Sequence, residues 1–319
     1  MAQGLSLLFV VDPLDALKAY KDSSVAMMRE AARRGHDVWT CQQGSLRWRD
    51  GKVTARCQLL EPLPQDKPWY ALREEGDHGL DQFDAVLMRK DPPFDAEYLV
   101  ATHLLEAAER QGARVFNAPR ALRDHNEKLA ITEFAEFIVP TLVSSDPAAL
   151  RAFHEEFADI VVKPLDAMGG AGVFRLRRDD PNVGVILETV THLGARTVMA
   201  QRFIAEIRDG DKRVLLIAGA PVPYVLARIP RPGETRGNLA VGGTGVARPL
   251  AEADRAIAER LGPVLAARGL LLVGLDVIGR YLTEINVTSP TCLVEIGEQT
   301  GCNVAALFVD ALEKALARD

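Results

Sequence analysis

The sequence predicts an α/β protein with a doubly wound parallel sheet near its N-terminus. Strand and helix patterns alternate over roughly the first 120 residues, as in a parallel sheet covered by helices. Further along, apolar segments are joined by short glycine-containing turns, which are typical of antiparallel hairpins. The chain has 319 residues, 48% hydrophobic and 26% charged, so we expect two or three compact units with a sizeable core.

The composition limits the kinds of partner and compartment. A net charge of -6 favours neither nucleic acid nor an anionic membrane as partner, because both attract basic surfaces. The four cysteines show no CxxC spacing, which is typical of reduced thiols in the cytoplasm rather than of disulfides or zinc ligands. Residues 5–11 are apolar but run into Asp12 without a preceding basic region. We interpret them as a buried strand rather than a signal peptide, and we expect no membrane span.

The first unit opens as β-α-β. After the strand at 5–11 comes a helix that Asp22, Ser23 and Ser24 can cap and that stops at Gly35. The later elements are a strand at 37–40, a hairpin turning at 50–51, a proline-rich connection at 61–68, a strand at 85–88, a helix at 95–111 and a strand at 114–117. Ligands of such a sheet collect at the carboxyl ends of its strands, where residues 21–23 and 89–90 are expected.

Two further units are predicted. The second has a helix at 126–137, a strand at 139–143, a helix capped by Ser145 or Asp146, a strand, glycine loop and strand within 159–175, and a strand at 197–203. The third has strands at 213–218 and 222–228, a loop at 230–245, a helix at 252–268 and a hairpin within 274–291. We therefore expect domains at residues 1–122, 123–200 and 201–319.

The loop at residues 168–172 has three glycines in four positions between two strands. Glycines let backbone N–H groups approach an anion, so the loop is either a phosphate cradle or an ordinary glycine-rich turn. Lys163, in the preceding strand, favours the cradle, although a lysine at a strand end can also reach solvent. Lys128, early in a predicted helix, suits either a second phosphate contact or an exposed side chain.

Two arginines lie within or at the end of apolar strands and therefore need anionic partners. For Arg213 and Arg228 the partner is either a phosphate or carboxylate of a ligand, or an ion pair with an acidic residue of the chain. The candidate ion-pair partners are Glu206, Asp209 and Asp211. The loop at 230–245 is rich in glycine and has no periodic apolar face, so we interpret it as a flexible lid through which Arg236 could reach a site.

Asp276, Glu284 and Asn286 interrupt the two strands of the last hairpin. A three-residue loop at 279–281 would set Asp276 opposite Glu284, whereas a two-residue loop would bury Asp276 among aliphatic side chains at a cost of several kcal/mol. We expect the first register, with an apolar face of Val273, Leu275, Val277, Thr283, Ile285 and Val287. Three oxygen ligands beside lysines and arginines fit Mg-ATP better than a dedicated Ca²⁺ site.

Over nearly its whole length the chain resembles the prokaryotic glutathione synthetases of the ATP-grasp superfamily. The resemblance rests on residues 21–24, 88–95, 122–129, 163–170, 209–213, 226–230, 234–238, 274–276 and 282–291. It implies an ATP-grasp fold with an N-terminal pre-ATP-grasp domain, a central lid domain and a C-terminal catalytic domain. Two departures are Thr244, where an arginine is expected in the lid, and His125, where some members have cysteine.

The resemblance implies an ATP-dependent ligase that joins γ-glutamylcysteine to glycine through an acyl phosphate, giving glutathione, ADP and phosphate. It further implies Mg²⁺ or Mn²⁺, with ATP as a substrate, and a cytoplasmic homotetramer. One alternative is an ATP-grasp ligase for another pair, such as two D-alanines, against which the stretch 89–93 argues. The other is a non-catalytic nucleotide-binding protein, which the intact acidic and basic set disfavours.

Pattern and resemblance together predict three groups of site residues. Catalysis and nucleotide binding are expected from Arg213, Arg228, Lys163, Lys128, Gly169, Gly170, Gln201, Arg202, Phe203, Ile204 and Asp211. Substrate binding is expected from Lys21, Asp22, Ser23, Ser24, Arg89, Lys90, Arg236, Ser289, Pro290 and Thr291, the last three beside glycine. The expected metal ligands are Asp276, Glu284 and Asn286.

Overall fold

Three β-sheets form the framework of the computed structural model, which describes residues 4–239 and 242–317. The strands of the first sheet are β1 Ser6–Val11, β2 Asp37–Gln42, β3 Arg47–Arg49, β4 Lys52–Pro62, β5 Tyr70–Gly79, β6 Ala85–Met88 and β7 Val115–Phe116. Those of the second are β8 Thr141–Ser144, β9 Asp159–Pro164, β10 Phe174–Arg177 and β11 Val198–Arg202. Those of the third are β12 Asp211–Ile217, β13 Ala220–Ile229, β14 Thr244–Pro249, β15 Leu272–Ile278 and β16 Tyr281–Asn286.

Eight α-helices cover these sheets within the described residues. They are α1 Ser23–Arg33, α2 Ala96–Glu109, α3 Pro119–Asp124, α4 Pro147–Phe157, α5 Val183–Val190, α6 Glu252–Ala267, α7 Leu293–Thr300 and α8 Val304–Leu316. Short 3₁₀ helices lie at Leu14–Ala16, Gln43–Ser45, Leu80–Gln82, Leu129–Phe137 and Ala205–Asp209. None of the helices in this part of the chain is long and apolar enough to cross a membrane.

The first sheet confirms the predicted doubly wound unit. Strands β2, β1, β6 and β7 are parallel neighbours, and β1 alternates its side chains between two cores. Helix α2 packs in the core that holds Leu8, and α1 packs in the core that holds Leu7. The antiparallel strands β3 and β4 turn at Asp50–Gly51, both with positive φ, as the hairpin pattern predicts. Strand β5, which pairs with β4, was not predicted because its polar residues carry no apolar alternation.

The second sheet has the order β10-β9-β11-β8 and is antiparallel throughout. Its own small core is filled by side chains from the sheet and from α4 and α5. The glycine loop connects β9 to β10, as predicted. Strand β11 runs across the predicted boundary between residues 200 and 201 and pairs inside this sheet. The three domain ranges stay predictions.

The third sheet has the order β14-β13-β12-β15-β16 and contains the predicted hairpin in an unexpected form. Ile278 pairs with Tyr281, so the turn has two residues and the predicted three-residue loop is wrong. A bulge at Thr283 then restores the register, and Asp276 does lie opposite Glu284. The bulge also turns Thr283 out of the expected apolar face, and Leu282 takes its place in the core.

Buried polar contacts join the first sheet to the third. The side-chain amide of Asn117, just after β7, donates to the carbonyl oxygens of Leu272 (2.8 Å) and Val287 (2.7 Å). Its oxygen accepts from the backbone N–H of Leu272 at 3.0 Å. Helix α8 also packs on α1, although neither α7 nor α8 was predicted. The C-terminal helices therefore pack between α1 of the first unit and strands β12, β13 and β14 of the third sheet.

Two smaller predictions need correction, and a third is confirmed. The helix expected at 126–137 is a 3₁₀ segment, Leu129–Phe137, with non-helical dihedral angles at Phe134. The predicted lid loop ends earlier than expected, because β14 begins at Thr244, and Ala240 and Val241 lie outside the described residues. All four cysteines are free thiols, as predicted.

Candidate active site

A cavity of about 300 Å³ lies where the second and third sheets meet the carboxyl edge of the first. Its wall combines the glycine loop, the end of β11, the faces of β12, β13, β15 and β16, and parts of the lid loop. The predicted residues that line it are Lys128, Lys163, Gly169, Gly170, Gln201, Arg202, Phe203, Ile204, Asp211, Arg213, Arg228, Arg236, Asp276, Glu284, Asn286, Ser289, Pro290 and Thr291. Most of the predicted residues therefore line one contiguous cavity.

The glycine loop has a backbone that other residues would strain. Gly169, Gly170 and Gly172 have φ of +65°, +81° and +69°, a region that favours glycine. A Cβ atom on Gly170 would come within 2.9 Å of Cδ of Arg236, which belongs to the lid loop. Arg236 also donates to the carbonyl oxygen of Gly170 (3.3 Å) and pairs with Glu234 (2.6 Å). The glycine loop and the lid therefore meet over the cavity.

Both predicted lysines are buried inside the cavity rather than exposed to bulk solvent. Lys163 is 6% exposed, and its Nζ donates to the carbonyl oxygen of Thr283 at 3.2 Å. Burial lowers its pKa, although Glu284 opposes the shift. The alternative of a strand-end lysine reaching solvent is thereby excluded.

Lys128 is 2% exposed, so it is not an ordinary surface neighbour either. Its Nζ donates to the carbonyl oxygen of Ala167 (2.8 Å), pairs with Glu127 and lies 3.6 Å from Oε1 of Glu284. Burial acts to lower the pKa of Lys128, but the two carboxylates outweigh burial and raise it. Lys128 is therefore a fixed positive charge beside Glu284.

Arg213 and Arg228 are held by carboxylates of the chain itself. Arg213 donates to Asp276 through Nε (2.6 Å) and Nη2 (3.2 Å), and Nη2 of Arg228 lies 2.8 Å from Asp276 Oδ2. Arg228 also pairs with Asp211. The ion-pair alternative is thus correct for Asp211, and Asp276 is a partner that the sequence reasoning missed.

The two acidic members of this cluster have opposite pKa shifts. Burial favours the neutral form of Asp276, but Arg213 and Arg228 together hold its pKa well below the usual range. The pKa of Asp211 is raised to about 6, because the effect of burial is larger than the opposing effect of the Arg228 charge. Moreover, Oδ1 of Asp211 is buried without a hydrogen-bond partner. Asp211 is therefore an incompletely satisfied carboxylate that faces the cavity.

The expected metal ligands differ in how many oxygen lone pairs they have free. Asp276 already accepts three contacts from arginines, of about four that a carboxylate can take. The carboxylate of Glu284 has one loose ion pair, with Nζ of Lys128 at 3.6 Å. The side-chain amide nitrogen of Asn286 donates to the carbonyl oxygen of Gly274 (3.3 Å), which leaves the side-chain oxygen of Asn286 for a ligand. In the described ranges no group of three His, Cys, Asp or Glu residues forms a metal site alone. The donor set fits a hard cation that takes further oxygens from a phosphate.

The opposite wall of the cavity is largely apolar. Phe203 and Ile204 follow β11 and are joined there by Val161, Ile207 and Ile278. The guanidinium of Arg175 stacks 3.5 Å from the ring centroid of Phe203 and is fixed by a bidentate pair with Asp159. Sequence reasoning missed Arg175, although its place in the strand that follows the glycine loop, three residues after Gly172, was a usable signal. A flat apolar ring would fit this wall.

The residues predicted to seat the dipeptide lie next to the cavity and do not line it. Asp22 caps α1 by accepting from the backbone of Ser24 (2.7 Å), and Oγ of Ser23 accepts weakly from the backbone of Leu293 (3.4 Å). Arg89 donates to Oγ of Ser24 (3.1 Å) and to the carbonyl oxygen of Pro290 (3.0 Å). Through Ser23 and Arg89, these residues therefore hold the segment at 289–293 in place.

The two lysines of that predicted set differ in their contacts. Lys90 pairs with Asp12 at 2.9 Å, which fixes it at the carboxyl edge of the first sheet. Lys21 lies exposed, with its Nζ 5.8 Å from the ring of Tyr20. The structure thus brings Lys90 towards the cavity wall and leaves Lys21 in solvent.

Sequence reasoning also missed a carboxylate in the wall. Asp91 lines the cavity directly after Lys90, and its Oδ1 accepts from Oγ of Ser289 at 2.6 Å. Its position at the carboxyl end of β6 was the available signal. The two departures from the family pattern lie elsewhere: His125 contacts Arg268 (2.7 Å), and Thr244 begins β14.

Comparisons with known proteins agree over almost the entire chain. Residues 5–123 match the family model for the prokaryotic glutathione synthetase N-terminal domain, and residues 127–301 match that for the ATP-grasp domain. The glutathione synthetase of Nitrosomonas europaea is 62% identical over 98% of this chain and 99% of its own. Those of Ralstonia nicotianae (98% and 96% covered) and Neisseria meningitidis serogroup A (97% and 98% covered) are 59% and 55% identical.

Solved structures show the same fold at low identity. D-cycloserine synthetase DcsG superposes with a TM-score of 0.70 at 18% identity, covering 97% of this chain and 99% of its own. The ATP-grasp ligase PsnB, in complex with a precursor variant, Mg and ADP, reaches 0.63 at 18% identity, covering 99% and 100%. These likenesses establish the ATP-grasp fold.

Proposed function

The chain belongs to the prokaryotic glutathione synthetase family and is an ATP-dependent ligase with glutathione synthetase function, and we propose that its cavity forms the amide bond through an acyl phosphate. One observation carries the proposal. Four buried cations, Lys128, Lys163, Arg213 and Arg228, face a single cavity that also holds Glu284. Such a concentration of positive charge suits a triphosphate and the charge that develops during its transfer.

The nucleotide is assigned to the part of the cavity that combines the glycine loop with the apolar wall. Lys128, Lys163 and the backbone of Gly169 and Gly170 would contact the phosphates, because positive φ at the glycines exposes backbone N–H groups. Residues 201–204 would border the adenine, beside the stacked pair of Arg175 and Phe203. The unpaired Oδ1 of Asp211 supports a polar ligand nearby.

Glu284 and Asn286 are proposed to hold the divalent cation, with Asp276 contributing what its arginine contacts leave free. The cation, Mg²⁺ with Mn²⁺ as the alternative, would supply positive charge to the phosphate oxygens when bound. The free amide oxygen of Asn286 and the quarter-exposed carboxylate of Glu284 support this choice of oxygen ligands.

The proposed chemistry begins with the cysteinyl carboxylate of γ-glutamylcysteine. A carboxylate is a poor electrophile, so it attacks the γ-phosphorus of ATP, forming an acyl phosphate and releasing ADP. The amine of glycine then attacks the acyl carbon, phosphate leaves, and the departing phosphate takes up the proton that the nitrogen loses. Lys163 and the two arginines are proposed to stabilise the spread negative charge, and Arg228 the tetrahedral oxyanion.

Water must be kept from the acyl phosphate. The contact of Arg236 with Gly170 supports a lid role for the described part of this loop, residues 230–239 and 242–243, since it joins the two loops that cover the cavity. The dipeptide is proposed to lie near residues 21–24, Arg89 and Lys90, and glycine near residues 289–291. The packing of Arg89 against Ser24 and Pro290 supports neighbouring subsites.

The assembly and compartment are also proposals. A homotetramer follows from the family resemblance, and a cytoplasmic location follows from the free thiols and the absence of CxxC spacing. Analytical ultracentrifugation tests the first, since a monomeric sedimentation coefficient at micromolar concentration contradicts it.

The proposed function is tested by phosphate release from ATP in the purified enzyme. We expect release only when γ-glutamylcysteine, glycine and a divalent cation are all present, with glutathione formed in equal amount. Omission of each component is the control. Release with D-alanine alone would instead support a ligase for another amino-acid pair.

A further inference from the structure

One carboxylate of the cavity has no direct ion pair among the described residues. The wall carries five carboxylates, at Asp91, Glu127, Asp211, Asp276 and Glu284. The other four each have a Lys or Arg nitrogen within 4.0 Å, whereas no salt bridge to Asp91 occurs among residues 4–239 and 242–317. The neighbouring lysine does not supply one, because Nζ of Lys90 binds Asp12 and the backbone carbonyl of Asp91 instead.

The backbone and side chain of Asp91 are held in place nonetheless. Its N–H donates to Oδ2 of Asp12 at 3.0 Å, and its carbonyl accepts from Lys90 at 2.7 Å. One carboxylate oxygen accepts from Oγ of Ser289 at 2.6 Å, and the side chain is exposed at the cavity wall. Arg89 acts on Asp91 only at longer range, because its hydrogen bonds go to Ser24 and Pro290. A fixed carboxylate with a free oxygen and no direct ion pair can bind a cationic group.

We infer that Asp91 binds the amino group of the glycine acceptor. This rests on the proposed function, which supplies two candidate cationic groups: the ammonium of glycine and the α-ammonium of the γ-glutamyl residue. The contact with Ser289 favours glycine. Ser289 lies three residues after Asn286, the last residue of β16 and a proposed cation ligand. Its hydrogen bond therefore holds Asp91 on the side of the cavity where the phosphates and the cation are proposed. The incoming amine must approach the acyl carbon on that side.

The physical role of Asp91 is binding and orientation. Glycine enters as an ammonium ion at neutral pH, and an ion pair with a fixed carboxylate raises its local concentration. After the ammonium gives one proton to a water molecule, the same oxygen accepts a remaining N–H and directs the nitrogen lone pair away from Asp91. The contact with Ser289 keeps this oxygen from rotating.

The test is steady-state kinetics of Asp91→Asn with each substrate varied in turn. Asparagine keeps the oxygen that accepts from Ser289 and removes only the charge. We expect KM for glycine to rise about 10-fold, with KM for ATP and γ-glutamylcysteine within about 2-fold of the unmodified enzyme. The matched control is Asp179→Asn, another exposed carboxylate without a salt bridge among the described residues, which lies outside the cavity and should leave all three constants unchanged.

Other outcomes separate the alternatives. A raised KM for γ-glutamylcysteine with normal glycine kinetics would assign Asp91 to the γ-glutamyl ammonium and overturn the inference, as would three unchanged constants. If Asp91→Asn does not fold, Asp91→Ser takes its place with the same expected rise in KM for glycine, and an unchanged value overturns the inference. An unmodified enzyme that ignores glycine would refute the proposed function itself, and the inference with it.

Discussion

Replacement of Glu284 by glutamine should separate function from stability. The nearest cation, Nζ of Lys128, lies 3.6 Å away, and the Glu284 side chain is 25% exposed. An ion pair of this kind contributes about 0.2–1 kcal/mol to folding. Lys128 keeps its contacts with Glu127 and Ala167 in the variant, so no buried charge is left unpaired.

A second effect reduces even this small loss. Burial raises the pKa of Glu127, and repulsion from Glu284 raises it further, so a neutral glutamine relieves that repulsion. The net change should stay below about 1 kcal/mol, or about 2 °C in Tm for a chain of 319 residues. Turnover should fall at least ~100-fold, which is about 2.7 kcal/mol, because one of the two available cation ligands loses its charge.

The assay combines thermal denaturation with phosphate release over a series of Mg²⁺ concentrations. The apparent affinity for Mg²⁺ should weaken together with turnover. Glu259→Gln is the matched control, since that residue forms only a loose pair with Arg255 at 3.9 Å and lies on α6. A loss of Tm above about 10 °C with normal turnover would refute the reasoning, because Glu284 would then be structural.

Three further predictions use the same cavity. Arg228→Met should reduce kcat by ~10²–10³, about 2.7–4 kcal/mol, because the developing oxyanion loses its donor; normal kcat in single-turnover experiments would contradict this. Gly170→Ala should raise KM for ATP about 10-fold, since the added Cβ would meet Arg236. Gly169→Ala is the control, because its φ is also positive but its added Cβ would have open space. Equal effects of the two substitutions would exclude a lid contact. Burial raises the pKa of Asp211 from 3.8 to about 6, so the folded protein binds this proton more tightly than the unfolded chain does. The free energy of unfolding should therefore fall by up to about 3 kcal/mol as the pH rises from about 4 to 6. Urea titrations of Asp211→Asn should lack this slope.

Most of the residues predicted for the site line one cavity, so their convergence was largely predictable from the sequence. Strand parity, together with the cost of burying Asp276, predicted the pairing of Asp276 with Glu284, which the structure confirms. The route was different, because a two-residue turn and a bulge at Thr283 replace the predicted three-residue loop. A bulge leaves no local pattern, since Leu282 and Thr283 are both compatible with either face of a strand.

What was not predictable depends on tertiary contacts. The pairing of Arg213 and Arg228 with Asp276 joins three different strands, and no spacing in the chain reports it. Strand β5 carries mainly polar side chains at a sheet edge, which hides its alternation. Asp91 was not predicted as a ligand, because its lack of a direct ion pair among the described residues is visible only once the partners of the other cavity carboxylates are known.

The central claim is that γ-glutamylcysteine is activated as an acyl phosphate within this cavity. It is tested most directly with a dipeptide whose cysteinyl carboxylate carries ¹⁸O in both oxygens. Attack of that carboxylate on ATP leaves one of the labelled oxygens on phosphorus when phosphate departs. We predict one ¹⁸O in the phosphate for each glutathione formed, measured by mass spectrometry. Phosphate without ¹⁸O, at the same yield of glutathione, would contradict the account.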